Sequence, residues 1–123
     1  MLHFAQFGAG RIGAIHAANL AAHPRAALRH VIDVNAAAAE ALAARHGGRV
    51  STTEAALADP EVGAVIIASS TDTHAELVIA AARAGKAIFC EKPIDLSIAR
   101  VRACLKTVEE TGATLMIGFN RRF

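Results

Sequence analysis

Three glycines near the amino terminus have a spacing that accommodates phosphate groups. Gly8, Gly10 and Gly13 form the pattern GxGxxG, directly after an apolar run and before a helix-like segment. Gly8 would permit a tight turn, Gly10 would let a diphosphate approach the backbone, and Gly13 would let the helix pack against the strand. The N–H groups at the start of this helix, among them those of Arg11 and Ile12, would face the diphosphate. The motif predicts a dinucleotide site.

An acidic residue follows at the distance that this site requires. Asp33 closes the apolar run HVID and lies twenty residues after Gly13. A carboxylate there accepts hydrogen bonds from the hydroxyls of an adenosine ribose. It would repel a 2′-phosphate, and no arginine follows directly to neutralise one. NAD is therefore favoured over NADP as the cofactor.

Small polar residues follow the fourth apolar run. Ser69, Ser70 and Thr71 are expected on the rim of the site, because ligands bind beyond the carboxyl ends of parallel strands. They would pass beneath the diphosphate and the second ribose.

The helix that follows this loop carries a second set of polar residues. His74 stands at its start, where the helix dipole disfavours an imidazolium, so we assign it a supporting role at the cofactor site ahead of a role as a base. Thr73 and Glu76 have the spacing of a capping box, which explains both without a ligand.

The segment CEKP ends the fifth apolar run on the same rim. Glu91 and Lys92 are thereby aimed at the crevice, and Pro93 makes a cis peptide accessible after Lys92. The Lys92 ammonium could donate to the nicotinamide ribose or to a substrate hydroxyl. A solvated Glu-Lys turn is the alternative interpretation, and the neighbouring motifs favour the functional one.

Short apolar runs alternate with alanine-rich segments, as in a parallel sheet covered by helices. The strands are predicted at Leu2–Phe7, Leu28–Val34, Arg49–Ser51, Ala64–Ser69, Ala87–Cys90 and Thr114–Phe119. The helices are predicted at Arg11–Ala22, Ala36–His46, Glu54–Ala58, Thr73–Ala84 and Ile98–Thr111. The fold class is α/β: a Rossmann-type, doubly wound, mainly parallel six-stranded sheet with helices on both faces.

Local signals mark the helix ends and one buried face. The predicted N-caps are Asn35, Thr53 and Ser97, and the residues predicted to leave a helix in a left-handed conformation are Gly47, Gly85 and Gly112. The last helix is predicted to face the core through Ile98, Val101, Leu105 and Val108.

Composition excludes several classes of partner. The net charge is only +2, basic residues are scattered, and Trp and Tyr are absent, which argues against nucleic acid and against an anionic membrane. Cys90 and Cys104 lack metal-site spacing, so buried reduced thiols are expected, with no metal. With no signal sequence or membrane span apparent, we expect a cytoplasmic location.

Together these motifs resemble the glucose-fructose oxidoreductase, inositol dehydrogenase and MocA-type family. The resemblance is carried by GAGRIG, Asp33, ASSTDTH, EKPID and IGFNRRF, and is strongest to the myo-inositol 2-dehydrogenase branch. It implies an NAD-dependent dehydrogenase acting on CH–OH donors, with hydride passing from a polyol or sugar to the nicotinamide. It implies that Lys92 is the catalytic lysine, and that Asn120 and Arg121 lie near the nicotinamide.

The same resemblance implies a domain organisation. Residues 1–123 would be the dinucleotide-binding domain, whereas the family's C-terminal substrate and oligomerisation domain, which carries its proton-transfer residues, is absent from this chain. The alternative function is a non-catalytic NAD-binding fragment or regulatory module. Apolar surface is expected along the last strand, where a second copy or a partner domain could bind.

Overall fold

The computed structural model describes residues 1–118. Its strands are β1 (Leu2–Phe7), β2 (Ala26–Ile32), β3 (Arg49–Val50), β4 (Val62–Ile67), β5 (Ala87–Glu91) and β6 (Leu115–Gly118). Its α-helices are α1 (Arg11–Ala22), α2 (Ala36–His46), α3 (Thr53–Ala58), α4 (His74–Arg83) and α5 (Ile98–Thr111). A 3₁₀ turn, Thr71–Thr73, leads into α4.

The strands form one parallel sheet in the order β3-β2-β1-β4-β5-β6. The order reverses between β1 and β4, which opens a crevice at their carboxyl ends. Side chains alternate across the sheet, so that Ala5 and Ile67 join the core beneath α4 and α5, while Phe4 and Ile66 pack on the side of α1 and α2. The predicted α/β class and sheet are confirmed.

Two strands were predicted two residues too far along the chain. β2 ends at Ile32 and β4 ends at Ile67, whereas the apolar pattern extended them to Val34 and Ser69. After β2 the chain turns into the crevice, where the side chain of Asp33 accepts hydrogen bonds from nearby backbone N–H groups. The residues beyond the strands are therefore free to line a site.

The helix-end predictions were largely correct. Asn35 and Ser97 accept hydrogen bonds from the backbone N–H groups of Ala38 and Arg100. The predicted cap of α3 was wrong by one residue, since Thr52 and not Thr53 caps that helix. The three glycines predicted after helices have positive φ values: Gly47 (92°), Gly85 (77°) and Gly112 (70°).

The predicted core stripe of α5 was wrong at two positions. Ile98 is 66% exposed and Leu105 is 45% exposed. The helix instead buries Cys104 and Thr107, whose hydroxyl donates to the Ala103 carbonyl within the helix. A threonine can be buried at this position because this hydrogen bond within the helix satisfies its hydroxyl group.

Cys90 and Cys104 are buried free thiols, as predicted, and burial raises the pKa of Cys90 to about 12.

A partly buried polar cluster joins β2 to the loop before β4. The Asp59 carboxylate accepts hydrogen bonds from Arg29 Nε at 2.6 Å and from the Glu61 N–H at 2.9 Å, and it contacts His30 Nε2 at 2.7 Å. Lys86 donates to the Asp59 carbonyl at 2.9 Å. Arg29 first, then His30 and the Glu61 N–H, hold the pKa of Asp59 well below its ordinary value of 3.8.

The lowered pKa of Asp59 predicts that the folded protein becomes less stable in acid. The contribution of Asp59 is fully present above its unfolded pKa and is lost as the pH falls through that value toward the lower folded one. Melting temperature should therefore fall between about pH 5 and about pH 2, and Asp59→Asn should melt lower at neutral pH with a flatter acid profile. Thermal unfolding followed by circular dichroism measures both. Glu109→Gln, on the exposed side of α5, is the control, and parallel acid profiles for Asp59→Asn and the wild type would contradict the assignment.

Candidate dinucleotide site

The glycine loop between β1 and α1 tolerates no side chain at two of its three glycines. Gly8 has φ +107°, and a Cβ there would overlap the backbone of Ala68. A Cβ on Gly13 would overlap the backbone of Gly8. The loop and the start of α1 are therefore packed directly against each other and against the end of β4.

A buried glutamine holds this loop in place. Gln6 is fully buried in β1, and its Nε2 donates to the carbonyls of Gly8 at 3.0 Å and Gly13 at 2.6 Å. One side chain thereby links the first and last glycines of the motif. Sequence reasoning overlooked it, although a polar residue inside an apolar strand immediately before the motif was a usable signal.

The middle glycine faces open space. A Cβ on Gly10 would meet no atom within 4 Å, and Gly10 is the N-cap of α1 with no side chain to cap it. The exposed first-turn residues Arg11 and Ile12 present their backbone N–H groups at the helix end where an anion is favoured. This opening is the cradle that a diphosphate needs.

Asp33 lies beside the glycine loop. Its carboxylate accepts hydrogen bonds from the Ala9 N–H at 2.7 Å and from the Asn35 N–H at 2.8 Å. Both bonds come from backbone groups, so they fix the carboxylate in position at the carboxyl end of β2. The side chain is only partly buried, and it remains accessible to a ligand.

A cleft of about 500 Å³ connects these elements. Its wall includes Gly8, Gly10, Asp33, Ser69 and Ser70, together with Thr73 and Glu76 of the segment that was interpreted as a capping box. A larger groove of about 620 Å³ lies toward the amino ends of β1 and β2, with a mostly apolar lining. We assign the site to the smaller cleft, because convergent polar groups and not volume identify a ligand site.

The predicted capping box does not form. The Thr73 hydroxyl donates to the Ser70 carbonyl at 2.6 Å and pairs with the Ser69 hydroxyl at 2.8 Å, and it makes no side-chain cap to α4. The 3₁₀ turn, which contains Thr71, changes the geometry of the helix entry. Glu76 is thus left exposed on the wall of the cleft.

Lys92 is exposed just beyond the carboxyl end of β5, and the peptide bond to Pro93 is cis. The preceding Glu91 contacts His16 Nε2 of α1 through its carboxylate at 2.6 Å. Sequence reasoning missed His16, because its partner lies 75 residues further along the chain. Only the fold brings the two together.

The structure does not place the His74 side chain on the cleft surface. It is 2% exposed, with Nδ1 at 2.7 Å from the Pro93 carbonyl and Nε2 at 2.9 Å from the Ser69 carbonyl. This geometry agrees with a supporting role and leaves no ring nitrogen for the cofactor. The predicted residues Asn120 and Arg121 lie outside the described part of the chain.

Residues 1–118 contain no group of three His, Cys, Asp or Glu side chains arranged to hold a metal ion. None of their helices combines the length and apolar character needed to cross a membrane.

The strand order, the glycine loop and Asp33 define a dinucleotide-binding Rossmann domain. A family model described as oxidoreductase family, NAD-binding Rossmann fold, matches residues 2–119. The chain therefore belongs to this glucose-fructose oxidoreductase, inositol dehydrogenase and MocA family, and its cofactor is NAD. The open cradle at Gly10 and the accessible carboxylate of Asp33 fit that cofactor.

The chain is similar to several inositol dehydrogenases. It is 54% identical to the inositol 2-dehydrogenase of Rhizobium meliloti, over 99% of this chain and 37% of that protein. A crystal structure of a myo-inositol dehydrogenase from Corynebacterium glutamicum has a TM-score of 0.92 at 40% identity, over 100% of this chain and 37% of that one. The scyllo-inositol dehydrogenase from Lactobacillus casei, solved with bound NAD(H) and scyllo-inositol, has a TM-score of 0.91 at 28% identity, again over 100% and 37%. The chain thus spans little more than a third of these relatives.

Proposed function

We propose that this chain is the cofactor-binding part of an NAD-dependent polyol dehydrogenase of the inositol type. The observation that carries the proposal is the position of Lys92 at the carboxyl end of β5, on the same edge of the sheet as the glycine loop and Asp33. Similarity to three inositol dehydrogenases supports the substrate class. The reaction would oxidise a secondary alcohol of a polyol or sugar.

Different described residues along the crevice would bind different parts of the cofactor. Backbone N–H groups of Arg11 and Ile12 would neutralise the diphosphate, and Asp33 would accept hydrogen bonds from the adenosine ribose. The residues of the loop after β4 that would line the second ribose are Ser69, Ser70 and Thr71. The nicotinamide ring supplies the hydride acceptor when NAD is bound. Lys92 would donate to the second ribose and to the substrate hydroxyl, and would thereby orient the carbon that loses hydride.

Alcohol oxidation also requires a group that accepts the hydroxyl proton. Near Lys92, the Glu91 carboxylate is engaged by His16, and both nitrogens of His74 face carbonyl oxygens. We therefore propose that residues 1–123 form the dinucleotide-binding domain, and that proton-accepting groups belong to a substrate domain of the kind that the relatives' remaining length would contain.

The alternative function is a non-catalytic NAD-binding module. Among the described residues near Lys92, Glu91 and His74 are both engaged in contacts within the fold, which supports this alternative. Two further proposals concern the setting of the chain. The buried free thiols Cys90 and Cys104 suit the cytoplasm. The exposed apolar residues Leu105 of α5 and Met116 of β6 suit contact with a second copy or a partner domain.

Calorimetric titration of the chain with NAD and NADP, followed by an NADH absorbance assay with myo-inositol on the same sample, tests the proposal. We expect NAD to bind more tightly than NADP. Turnover of myo-inositol would show that this chain is itself a polyol dehydrogenase, and would overturn our placement of the proton acceptor. Binding without turnover would place the remaining groups in another domain. Absence of NAD binding would contradict the site.

A further inference from the structure

Two histidines hold the residues on either side of Lys92. His16 of α1 contacts the carboxylate of Glu91 at 2.6 Å, and His74 of α4 contacts the carbonyl of Pro93 at 2.7 Å. The helices α1 and α4 pack on opposite faces of the sheet. Lys92 therefore lies on a short segment that is fixed from both sides.

The contact between His16 and Glu91 is confined by its surroundings. The two side chains are 19% and 24% exposed. The His16 ring packs edge-on against Phe89, with ring centroids 5.2 Å apart. On the other side the Glu91 carboxylate lies against Gly118, where a Cβ would come within 3.2 Å of it. The carboxylate thus occupies a defined place between α1 and β6.

The contact made by His74 is more deeply buried. The ring is 2% exposed, and its second nitrogen faces the Ser69 carbonyl at 2.9 Å. At least one ring nitrogen carries a proton in any tautomer, so the ring donates a hydrogen bond to at least one of these two carbonyls. His74 consequently links the segment after β5 to the loop after β4.

We propose that His16 and His74 are positioning residues that hold Lys92 at the nicotinamide end of the bound cofactor. This inference rests on the proposed function, because it takes from it the contact between Lys92 and the second ribose. This role does not require either histidine to touch the cofactor. Their effect is to fix the backbone from which a long and flexible side chain extends, and misplacement by about 1 Å is enough to weaken such a contact strongly.

Calorimetric titration of the 123-residue chain with NAD and with ADP separates the two ends of the crevice. ADP carries the adenosine and diphosphate but lacks the second ribose and the nicotinamide, so the ratio of the two affinities reports contacts beyond the diphosphate. His16→Phe keeps an aromatic ring against Phe89 and removes the donor to Glu91. We expect its ADP affinity to be unchanged and its preference for NAD over ADP to fall roughly tenfold, the size of a lost hydrogen bond to a charged group.

Three further variants separate positioning from a merely structural role. His16→Gln keeps an amide donor at a similar reach and should restore most of the preference for NAD. In a chain carrying Lys92→Met, His16→Phe should cause no further loss, because the lysine through which His16 acts is gone. His74→Asn, which can bridge only one of the two carbonyls, should show the same pattern as His16→Phe. ADP binding in each sample confirms that the variant is folded.

The possible failures are distinguishable. An unchanged preference for NAD in His16→Phe, or an equal loss in the Lys92→Met background, overturns the positioning role and leaves the proposed function standing. If the wild-type chain binds NAD no more tightly than ADP, the assignment of Lys92 fails and the positioning role fails with it. If it does not bind ADP, the cofactor site itself is wrong.

Discussion

Gly10→Ala is expected to abolish most NAD binding while leaving the domain as stable as the wild type. A Cβ at this position meets no protein atom within 4 Å, and Gly10 has φ −81°, which an L residue adopts readily. The added methyl group would instead occupy space that the diphosphate needs. We expect NAD affinity to fall roughly 10- to 100-fold, in line with the cost of about 1–3 kcal/mol for overfilling a packed contact.

Gly13→Ala is the matched comparison for this prediction. Its Cβ would overlap the backbone of Gly8, so α1 would have to move away from the loop. We expect this variant to lose both NAD affinity and several degrees of melting temperature. Calorimetric titration and thermal unfolding on the same samples measure the two effects. A Gly10→Ala variant that binds NAD normally, or that unfolds as readily as Gly13→Ala, would contradict the assigned roles.

Asp33→Ala is expected to weaken NAD binding roughly 100-fold and to reduce the preference for NAD over NADP. Removing two hydrogen bonds to a charged acceptor costs about 1.5 kcal/mol each, or about 3 kcal/mol in all. The same substitution removes a negative charge that would repel a 2′-phosphate, so NADP should lose less affinity than NAD. Part of the loss would arise in the free protein, because the Ala9 and Asn35 N–H groups lose their acceptor.

The experiment compares both cofactors on the wild type, Asp33→Ala and Glu40→Ala by calorimetry. Glu40 is an exposed carboxylate on α2, so its removal controls for the change in net charge. An unchanged ratio of NAD to NADP affinity in Asp33→Ala would show that Asp33 does not select the cofactor. A comparable change in Glu40→Ala would show that the effect is one of overall charge.

The sequence was sufficient for the fold and for the local motifs. Apolar runs, alanine-rich helices and helix-ending glycines are short-range patterns, and each predicted strand or helix whose residues the structure describes is present. The predicted strands extended two residues too far, to Val34 and Ser69, because the chain leaves the sheet at Ile32 and Ile67. Hydrophobic pattern alone does not record that turn.

Contacts over long sequence separations could not be predicted. Glu91 and His16 are brought together by the packing of α1 on the sheet, and His74 meets Pro93 across the loops after β4 and β5. Thr73 and Glu76 were given a local interpretation that the 3₁₀ turn overrides. In each case the fold determines which of several chemically reasonable partners a side chain finds.

The Asp59 cluster and the dinucleotide crevice occupy different parts of the sheet. Asp59 precedes β4 and Lys86 precedes β5, so both stand at the amino ends of their strands, whereas the cofactor residues follow the carboxyl ends. Substitutions that alter ligand preference therefore need not disturb the ion pair of Arg29 and Asp59. This separation gives the domain evolvability: selection can explore new cofactor or ligand preferences at one edge while the other edge preserves the fold.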